Sequence, residues 1–337
     1  MPSITFEGNT YQCQPAESVL DILLRHKVEA AFSCRAGSCQ TCLLHCLEGE
    51  VQAAAQKDLK PALKDLNYFL ACQCIPQGDL QIAAPTAADV YSQARLTEKI
   101  QLSATVWRLR LMPEQSLLFQ AGQFLNVRSP QGWVRSYSLA NLPASDQGLE
   151  LHVRVLPQGK MSHWLTADCG AGEMLEISTA HGHCIYTAGE PQQPLLLVAT
   201  GTGLAPIVGI LRAALAQGHS GPVRLYHGVR EAADLYLHKT LQALAGEYAN
   251  LHYYGCVSGA DTAGIEPGQD TQPGRAADLA FQHQPDLKGS RVYLCGSPKM
   301  VKQVRTRAYL AGASMADILV DAFTCAAPAP VQETVSL

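Results

Sequence analysis

The spacing of apolar and polar positions changes character twice along the chain. At the start, Ile4-Thr5-Phe6 and Thr10-Tyr11-Gln12-Cys13 flank a Gly8-Asn9 turn and predict a hairpin. Glu17-Ser18 then opens a helix whose apolar face is Val19, Leu20, Ile22, Leu23 and Leu24. Arg25-His26-Lys27 closes it with cations that suit a helix C-terminus. A cysteine-rich loop from Ser33 to Cys42 follows. Leu43-Leu44-His45-Cys46-Leu47 and Leu80-Gln81-Ile82 read as strands, and the small residues 83–88 read as a linker. From about Arg95 to Tyr186 the pattern becomes short alternating segments, such as 106–111 and 149–155, broken by Gly and Pro. This predicts a small β-barrel with one short helix starting at Ser162. From Pro194 onward, continuous apolar strands at 195–199, 223–226 and 292–294 alternate with helices at 205–216, 235–245 and 299–311. Such alternation predicts a parallel sheet covered on both faces. Residues 258–274 read as loop, and the tail after Phe323 as mobile.

Composition narrows the class. The 337 residues suit two to three domains at roughly 150 residues each. Apolar residues reach 47% and charged ones only 16%, which excludes a disordered, charge-driven chain. The formal net charge of −4, with no basic block, argues against a nucleic-acid partner. No stretch approaches the ~18 apolar residues of a membrane span, so the expectation is a cytoplasmic protein. In that compartment 12 cysteines point to metal or redox chemistry rather than disulfides, and seven of them precede residue 75.

Cys34, Cys39, Cys42 and Cys72 follow C-x4-C-x2-C with a distant fourth cysteine, the plant-type spacing for a [2Fe–2S] cluster. A tight loop supplies three thiolates and a separate segment the fourth. Gly37 and Ser38 let backbone N–H groups turn toward the sulfurs, and Arg35 adds a cation. The alternative is a four-cysteine zinc site, but such sites usually pair two C-x2-C knuckles and only one is present. Cys74 could replace Cys72. Cys13, Cys46 and Cys74 otherwise read as small buried apolar residues.

Two segments suit a flavin. In Arg135-Ser136-Tyr137-Ser138, Arg135 offers a charge to a pyrophosphate, Tyr137 a flat face to an isoalloxazine ring and Ser138 a hydroxyl near its reactive edge. In Gly159-Lys160-Met161-Ser162, glycine permits close backbone approach and Ser162 can cap a helix whose N-terminus faces the pyrophosphate. His152 and Val153, on the strand before it, join the candidate flavin contacts. A third segment is a strand running into Gly201-Thr202-Gly203-Leu204-Ala205-Pro206 and a helix, the geometry that receives a dinucleotide phosphate, although Pro206 replaces the third glycine of the Rossmann fingerprint. Cys295-Gly296-Ser297-Pro298-Lys299-Met300 forms a second strand-to-helix turn at the same sheet edge.

These motifs, in this order and with a closing Asp321-Ala322-Phe323, resemble the ferredoxin–NAD(P)H reductase superfamily. The likeness is to the three-module reductase component of bacterial oxygenase systems, such as benzoate dioxygenase reductase, and it covers residues 1 to about 323. It implies a β-grasp ferredoxin domain over 1–86, a linker over 87–93, an antiparallel β-barrel FAD domain over 94–187 and a parallel α/β NAD-binding domain over 188–337. It also implies the cluster on Cys34, Cys39, Cys42 and Cys72. FAD would lie on Arg135 to Ser138 and Gly159 to Ser162, with Ser138 near flavin N5. The nicotinamide nucleotide would lie on Gly201 to Pro206, with Cys295 near the nicotinamide and Phe323 near the flavin. The family usually ends in Glu-x-Phe, and Asp321 is one methylene shorter. Ala180-His181-Gly182-His183-Cys184 also departs from the usual G-P-x-G-x-F, and both histidines read as surface residues.

A nicotinamide delivers two electrons as hydride and a [2Fe–2S] cluster accepts one, so a flavin must stand between them. The expected path runs from NADH, favoured over NADPH because Arg230 has no basic company, through FAD and the cluster to an oxygenase component or its ferredoxin. A monomer is expected. Residues 1–86 carry six basic and nine acidic side chains, a mildly acidic face for docking. The competing readings are a reductase for a non-oxygenase acceptor, such as a deoxysugar dehydrase, and a redox-sensing module without turnover.

Overall fold

The expected hairpin forms as β1 (Ser3–Phe6) and β2 (Asn9–Gln12) in the computed structural model, which describes residues 1–143, 147–259 and 271–324. Helix α1 (Val19–Arg25) begins where Ser18 Oγ accepts from the Asp21 amide at 3.2 Å. It buries Val19, Leu20, Ile22 and Leu23 against β3 (Leu43–Glu48), β4 (Tyr68–Leu70) and β5 (Leu80–Ala83). Each such side chain contributes about 1.5–3 kcal/mol on burial, so this apolar stripe carries the small first module. The strands make a mixed five-stranded sheet, order β2-β1-β5-β3-β4, with β1 and β5 parallel around the helix, the β-grasp arrangement. A short helix, α2 (Pro61–Asp65), packs beside β4.

The segment expected to be a linker is ordered structure. Ala87–Val90 is a helical turn, α3, and the first barrel strand starts at once with β6 (Tyr91–Gln101). The turn is pinned to the first module because the buried Tyr68 hydroxyl donates to Asp89 at 2.7 Å and accepts from the Thr86 amide at 3.3 Å.

Strands β7 (Val106–Pro113), β8 (Phe124–Arg128), β9 (Val134–Ser138), β10 (Leu149–Arg154) and β11 (Met174–Ser178) complete an antiparallel sheet of order β10-β7-β6-β11-β8-β9. A bridge between Leu139 and Leu151 joins its two edges into a barrel. Alternate residues of β7 and β10, among them Leu109, Leu111, Leu149, Leu151 and Val153, fill its interior. Helix α4 (Lys160–His163) closes one end.

The last module is a six-stranded parallel sheet, order β15-β14-β13-β12-β16-β17. Its strands are β12 (Leu195–Thr200), β13 (Val223–Val229), β14 (Leu251–Val257), β15 (Thr271–Pro273), β16 (Arg291–Gly296) and β17 (Ile318–Ala322). Successive residues of β12 serve opposite faces. Leu195, Leu197 and Ala199 pack with α5 (Leu204–Ala216), whereas Leu196 and Val198 pack with α7 (Ala276–His283) and α8 (Pro298–Leu310). That double burial is why the strand reads as an unbroken apolar run.

Helix α6 (His238–Glu247) starts three residues later than its periodicity predicts, because Leu237 adopts φ 57° after a tight turn at Ala232–Asp234. Within the expected loop 258–274, Thr271–Pro273 pairs with β14 as an edge strand, and 260–270 lie outside the described residues. So does the expected mobile tail from residue 325 onward. His181 is not a plain surface residue. Its backbone pairs with Phe124 at 2.7 and 2.9 Å, and burial together with the charge of Lys60 lowers its ring to about 4, whereas His183 is exposed.

Candidate redox centre and nucleotide cleft

The cysteine loop precedes β3, and its backbone turns repeatedly. Arg35, Gly37 and Gln40 adopt φ of 53°, 81° and 55°. Two of these are non-glycine residues in a conformation that costs roughly 1–2 kcal/mol each. The result is a ring of donors about the Cys34 sulfur, which accepts from the amides of Ala36 at 3.3 Å and Cys39 at 3.4 Å and from Ser38 Oγ at 3.4 Å. A side chain at Gly37 would stand 3.0 Å from Gln73 Cγ, and Gln73 Nε2 donates to the Cys72 sulfur at 3.3 Å and to the Arg35 carbonyl at 3.2 Å. Gln73 thus ties the distant fourth cysteine to the loop.

The four thiols group in twos. Cys39 beside Cys34 lowers that thiol below its ordinary range, and Cys42 beside Cys72 does the same there. Among the described residues no three His, Cys, Asp or Glu side chains converge on a single ion. Two adjacent pairs of sulfurs facing inward amide donors fit a two-iron cluster better than one tetrahedral zinc. Cys13, Cys46 and Cys74 are buried in the module core, and burial pushes the Cys74 thiol up to about 12. Arg35 lies over the Phe32 ring and pairs with Asp21 at 3.0 Å.

From this loop a cleft of about 2210 Å³ runs between all three sheets. Its walls include Cys34, Ser38 and Cys39 at one end, Arg135 to Ser138 of β9 and the turn Gly159 to Ser162 in the middle, and Thr200 to Thr202, Arg230 and Gly296-Ser297 at the other. His152, Met300 and Phe323 also face it. Ser138 Oγ donates to Asp321 Oδ2 at 3.2 Å, so the shorter carboxylate still reaches the barrel, and burial raises Asp321 to about 6. The Phe323 amide donates to the Gly296 carbonyl at 2.7 Å and fixes the aromatic ring at the cleft floor.

The two nucleotide turns lock into one another. A Cβ on Gly203 would meet the Cys295 carbonyl at 2.3 Å, and one on Gly296, where φ is 122°, would meet Thr200 Oγ1 at 2.4 Å. Thr200 Oγ1 accepts from the Ser297 amide at 2.9 Å. Behind them the buried His227 donates from Nε2 to the Gly201 carbonyl at 3.2 Å. Burial lowers that imidazole to about 4 and keeps it neutral.

Several expected contacts lie elsewhere. Ser162 does not cap α4, which starts at Lys160. Its hydroxyl instead donates to the Gly159 carbonyl at 2.9 Å and accepts from the Leu156 amide at 3.1 Å, closing the turn. The Val153 side chain points into the barrel core. Gly203, Leu204, Pro206 and Pro298 shape the turns without lining the cleft. The Cys295 thiol is also off the cleft wall. It is fully buried, 3.7 Å from the Cys184 sulfur. Strand alternation is the reason for Val153, and the outward turn at Gly296 is the reason for Cys295. Sequence reading missed Thr200, His227 and Asn126, the last a buried residue of β8 described below. A buried polar residue inside a largely apolar strand was the available signal for His227 and Asn126, whereas Thr200 is half-buried at the end of β12 and gave no such signal.

A cluster loop, a flavin-type barrel and a nucleotide-type parallel sheet opening on one cleft define a modular flavin-dependent electron-transfer reductase. The sequence matches the family models of a 2Fe-2S iron-sulfur cluster binding domain over 4–77, an oxidoreductase FAD-binding domain over 93–186 and an oxidoreductase NAD-binding domain over 197–306. It is 32% identical to the ferredoxin–NAD(P)+ reductase component of the naphthalene 1,2-dioxygenase/salicylate 5-hydroxylase systems of a Ralstonia species, covering 92% of this chain and 94% of that one. It is 33% identical to the reductase subunit of an Amycolatopsis aromatic O-demethylase, covering 89% and 92%. The crystal structure of an Amycolatopsis cytochrome P450 reductase superposes with a TM-score of 0.68 at 31% identity, covering 98% of this chain and all of that one. The chain belongs to the ferredoxin–NAD(P)H reductase superfamily in its three-module [2Fe–2S], FAD and NAD(P) form.

Proposed function

We propose that the protein passes electrons from a nicotinamide nucleotide, through FAD and a [2Fe–2S] cluster, to an oxygenase component or its ferredoxin. The observation that carries this reading is the single cleft onto which the cluster loop, the flavin-type strand and both nucleotide turns open. The acceptor class rests on relatives that are reductase components of naphthalene, terephthalate, phenol and alkene oxygenase systems. We assign 1–86 to the ferredoxin module, 94–187 to the FAD module and 188–337 to the nucleotide module, joined through 87–93, in a monomer of the cytoplasm.

Cys34, Cys39, Cys42 and Cys72 would hold the cluster, with inward amides compensating the charge on their sulfurs. Bound FAD would turn a two-electron hydride into single electrons. Arg135 supplies the cation for its pyrophosphate, Gly159 to Ser162 a turn closed on itself by the Ser162 hydroxyl, and Tyr137 a ring face. The Ser138 hydroxyl donates to Asp321, which holds it at the reacting edge, and Asp321 can carry a proton near neutral pH because burial has raised it; a protonated Asp321 would donate to Ser138 instead and free the hydroxyl proton for that edge. Gly201 to Ala205 and Gly296-Ser297 cradle the nucleotide, while Cys295 serves through its carbonyl beside Gly203. Arg230, Arg275 and Lys299 all line the cleft, so the basic company that the sequence around Arg230 lacks comes from other segments, and NADPH stays open beside NADH as the donor.

Anaerobic stopped-flow mixing with NADH tests the scheme. Flavin bleaching should precede cluster bleaching. Cytochrome c reduction should need the cluster, and ferricyanide reduction only the flavin. A flavin spectrum that NADH leaves unchanged would refute turnover and favour the sensing module.

A further inference from the structure

The contact between the cluster loop and the barrel centres on one buried amide, beside a direct Thr41 Oγ1–Ser136 Oγ contact at 3.4 Å. Asn126 sits on β8 opposite Ser136 of β9 and is only 3% exposed. Its Nδ2 donates to the Cys39 carbonyl at 3.0 Å, and its Oδ1 accepts from Ser136 Oγ at 2.7 Å and from Thr41 Oγ1 at 3.5 Å. Its backbone amide is taken by Ser178 Oγ at 2.9 Å. We propose that Asn126 is a positioning residue that registers the cluster-binding loop against the flavin-binding strand and so sets the gap electrons cross between the two modules. The proposal deepens the function given above and rests on it.

Local structure does not ask for this residue. Asparagine is disfavoured in strands, and a buried amide left without partners is destabilising. Asn126 is satisfied only when the first module is docked, because its donor's partner belongs to that module. The loop is shaped to meet it. The left-handed turn at Gln40 directs the preceding Cys39 carbonyl outward, and Gln40 Nε2 anchors the other side to the Asp58 carbonyl at 2.9 Å. The bridge therefore joins a candidate cluster ligand to the middle of the Arg135–Ser138 segment in two hydrogen bonds. Because electron-transfer rates fall exponentially with separation, a small loss of register slows that step alone.

The test uses the holoprotein with Asn126→Leu, which keeps the size, adds no charge and removes the amide, and Asn126→Ala. Expected results are NADH–ferricyanide rates within about twofold of the parent, and NADH–cytochrome c rates and the stopped-flow flavin-to-cluster phase about tenfold slower, as loss of one buried hydrogen bond implies. Amide exchange at Cys39 to Thr41 should quicken, with iron content and cluster midpoint potential unchanged. Equal losses in both assays, no loss in either, or a slower step accompanied by a shifted potential would overturn the proposal. If Asn126→Ala does not fold, Asn126→Leu alone decides it by the same readouts. A parent protein that reduces ferricyanide but never cytochrome c would instead sink the electron path itself.

Discussion

The cluster loop and the nucleotide cleft are built on opposite principles. In the loop, three of the four candidate ligands lie within Cys34 to Cys42, and the amides that face the Cys34 sulfur come from the same few residues. In the cleft, each functional contact joins distant segments, such as Ser138 to Asp321, Thr200 to Ser297 and Gly203 against Cys295. Local covalent spacing organises the first site, and steric interlocking of separate strands organises the second. The loop should therefore fail all at once when a ligand is lost, while the cleft should fail by degrees.

The sharpest test of that contrast is Cys42→Ala. Loss of a ligand should abolish iron and sulfide retention and cut cytochrome c reduction by about 100-fold or more, leaving ferricyanide reduction intact. Cys74→Ala should keep the cluster, as metal analysis and the visible spectrum would show.

In the cleft, Asp321→Asn should slow flavin reduction by NADH by about 30-fold. It should also remove a pH dependence. The folded carboxyl titrates at about 6, above its ordinary range, so the native state binds the extra proton between the two values. Stability is thus greatest below the unfolded value and declines as pH rises through about 6, by roughly 3 kcal/mol in all, of which about 1–2 kcal/mol falls between pH 5 and 8. The Asn variant should lack that decline in denaturant titrations at pH 5 and 8, and a matching slope in both proteins would contradict the assignment.

Gly203→Ala sharpens the steric half of the comparison. A methyl 2.3 Å from the Cys295 carbonyl must push the two turns apart. We expect KM for NADH to rise about tenfold and stability to fall by about 1–3 kcal/mol, with cluster content untouched. Gly201→Ala, whose nearest neighbour is the movable Arg154 guanidinium at 3.3 Å, should clash less, its cost coming instead from the left-handed φ of 53° at that position. The smallest effect belongs to Arg275→Ala, which should lower the NADPH-to-NADH rate ratio about threefold, since one exposed guanidinium is removed from a partly solvated wall.

Much of the fold was legible before any coordinates. Helix α1, strands β3, β7, β10 and β12 and helices α5 and α8 fall within a residue or two of their apolar patterns, because burial on one face or two writes a period into the chain. The ordered turn at Ala87–Val90 and the late start of α6 were not legible, since each depends on a partner remote in sequence or on a single left-handed residue. At the sites, the four cluster cysteines and the Arg135–Ser138 segment could be read from spacing. The withdrawal of the Cys295 thiol from the cleft and the part played by Asn126 could not.

The sequence by itself determined which chemistry this protein carries. Cofactor-binding loops need particular side chains and glycines at fixed covalent intervals, and such intervals survive in one dimension. Only the tertiary structure decided how the three modules meet: that Asp321 reaches Ser138 despite its shorter side chain, that two glycine turns interlock, and that one buried amide joins the cluster loop to the barrel. Those are contacts between residues some 90 to 180 positions apart, and nothing in local spacing encodes a distance that the packing of whole sheets sets.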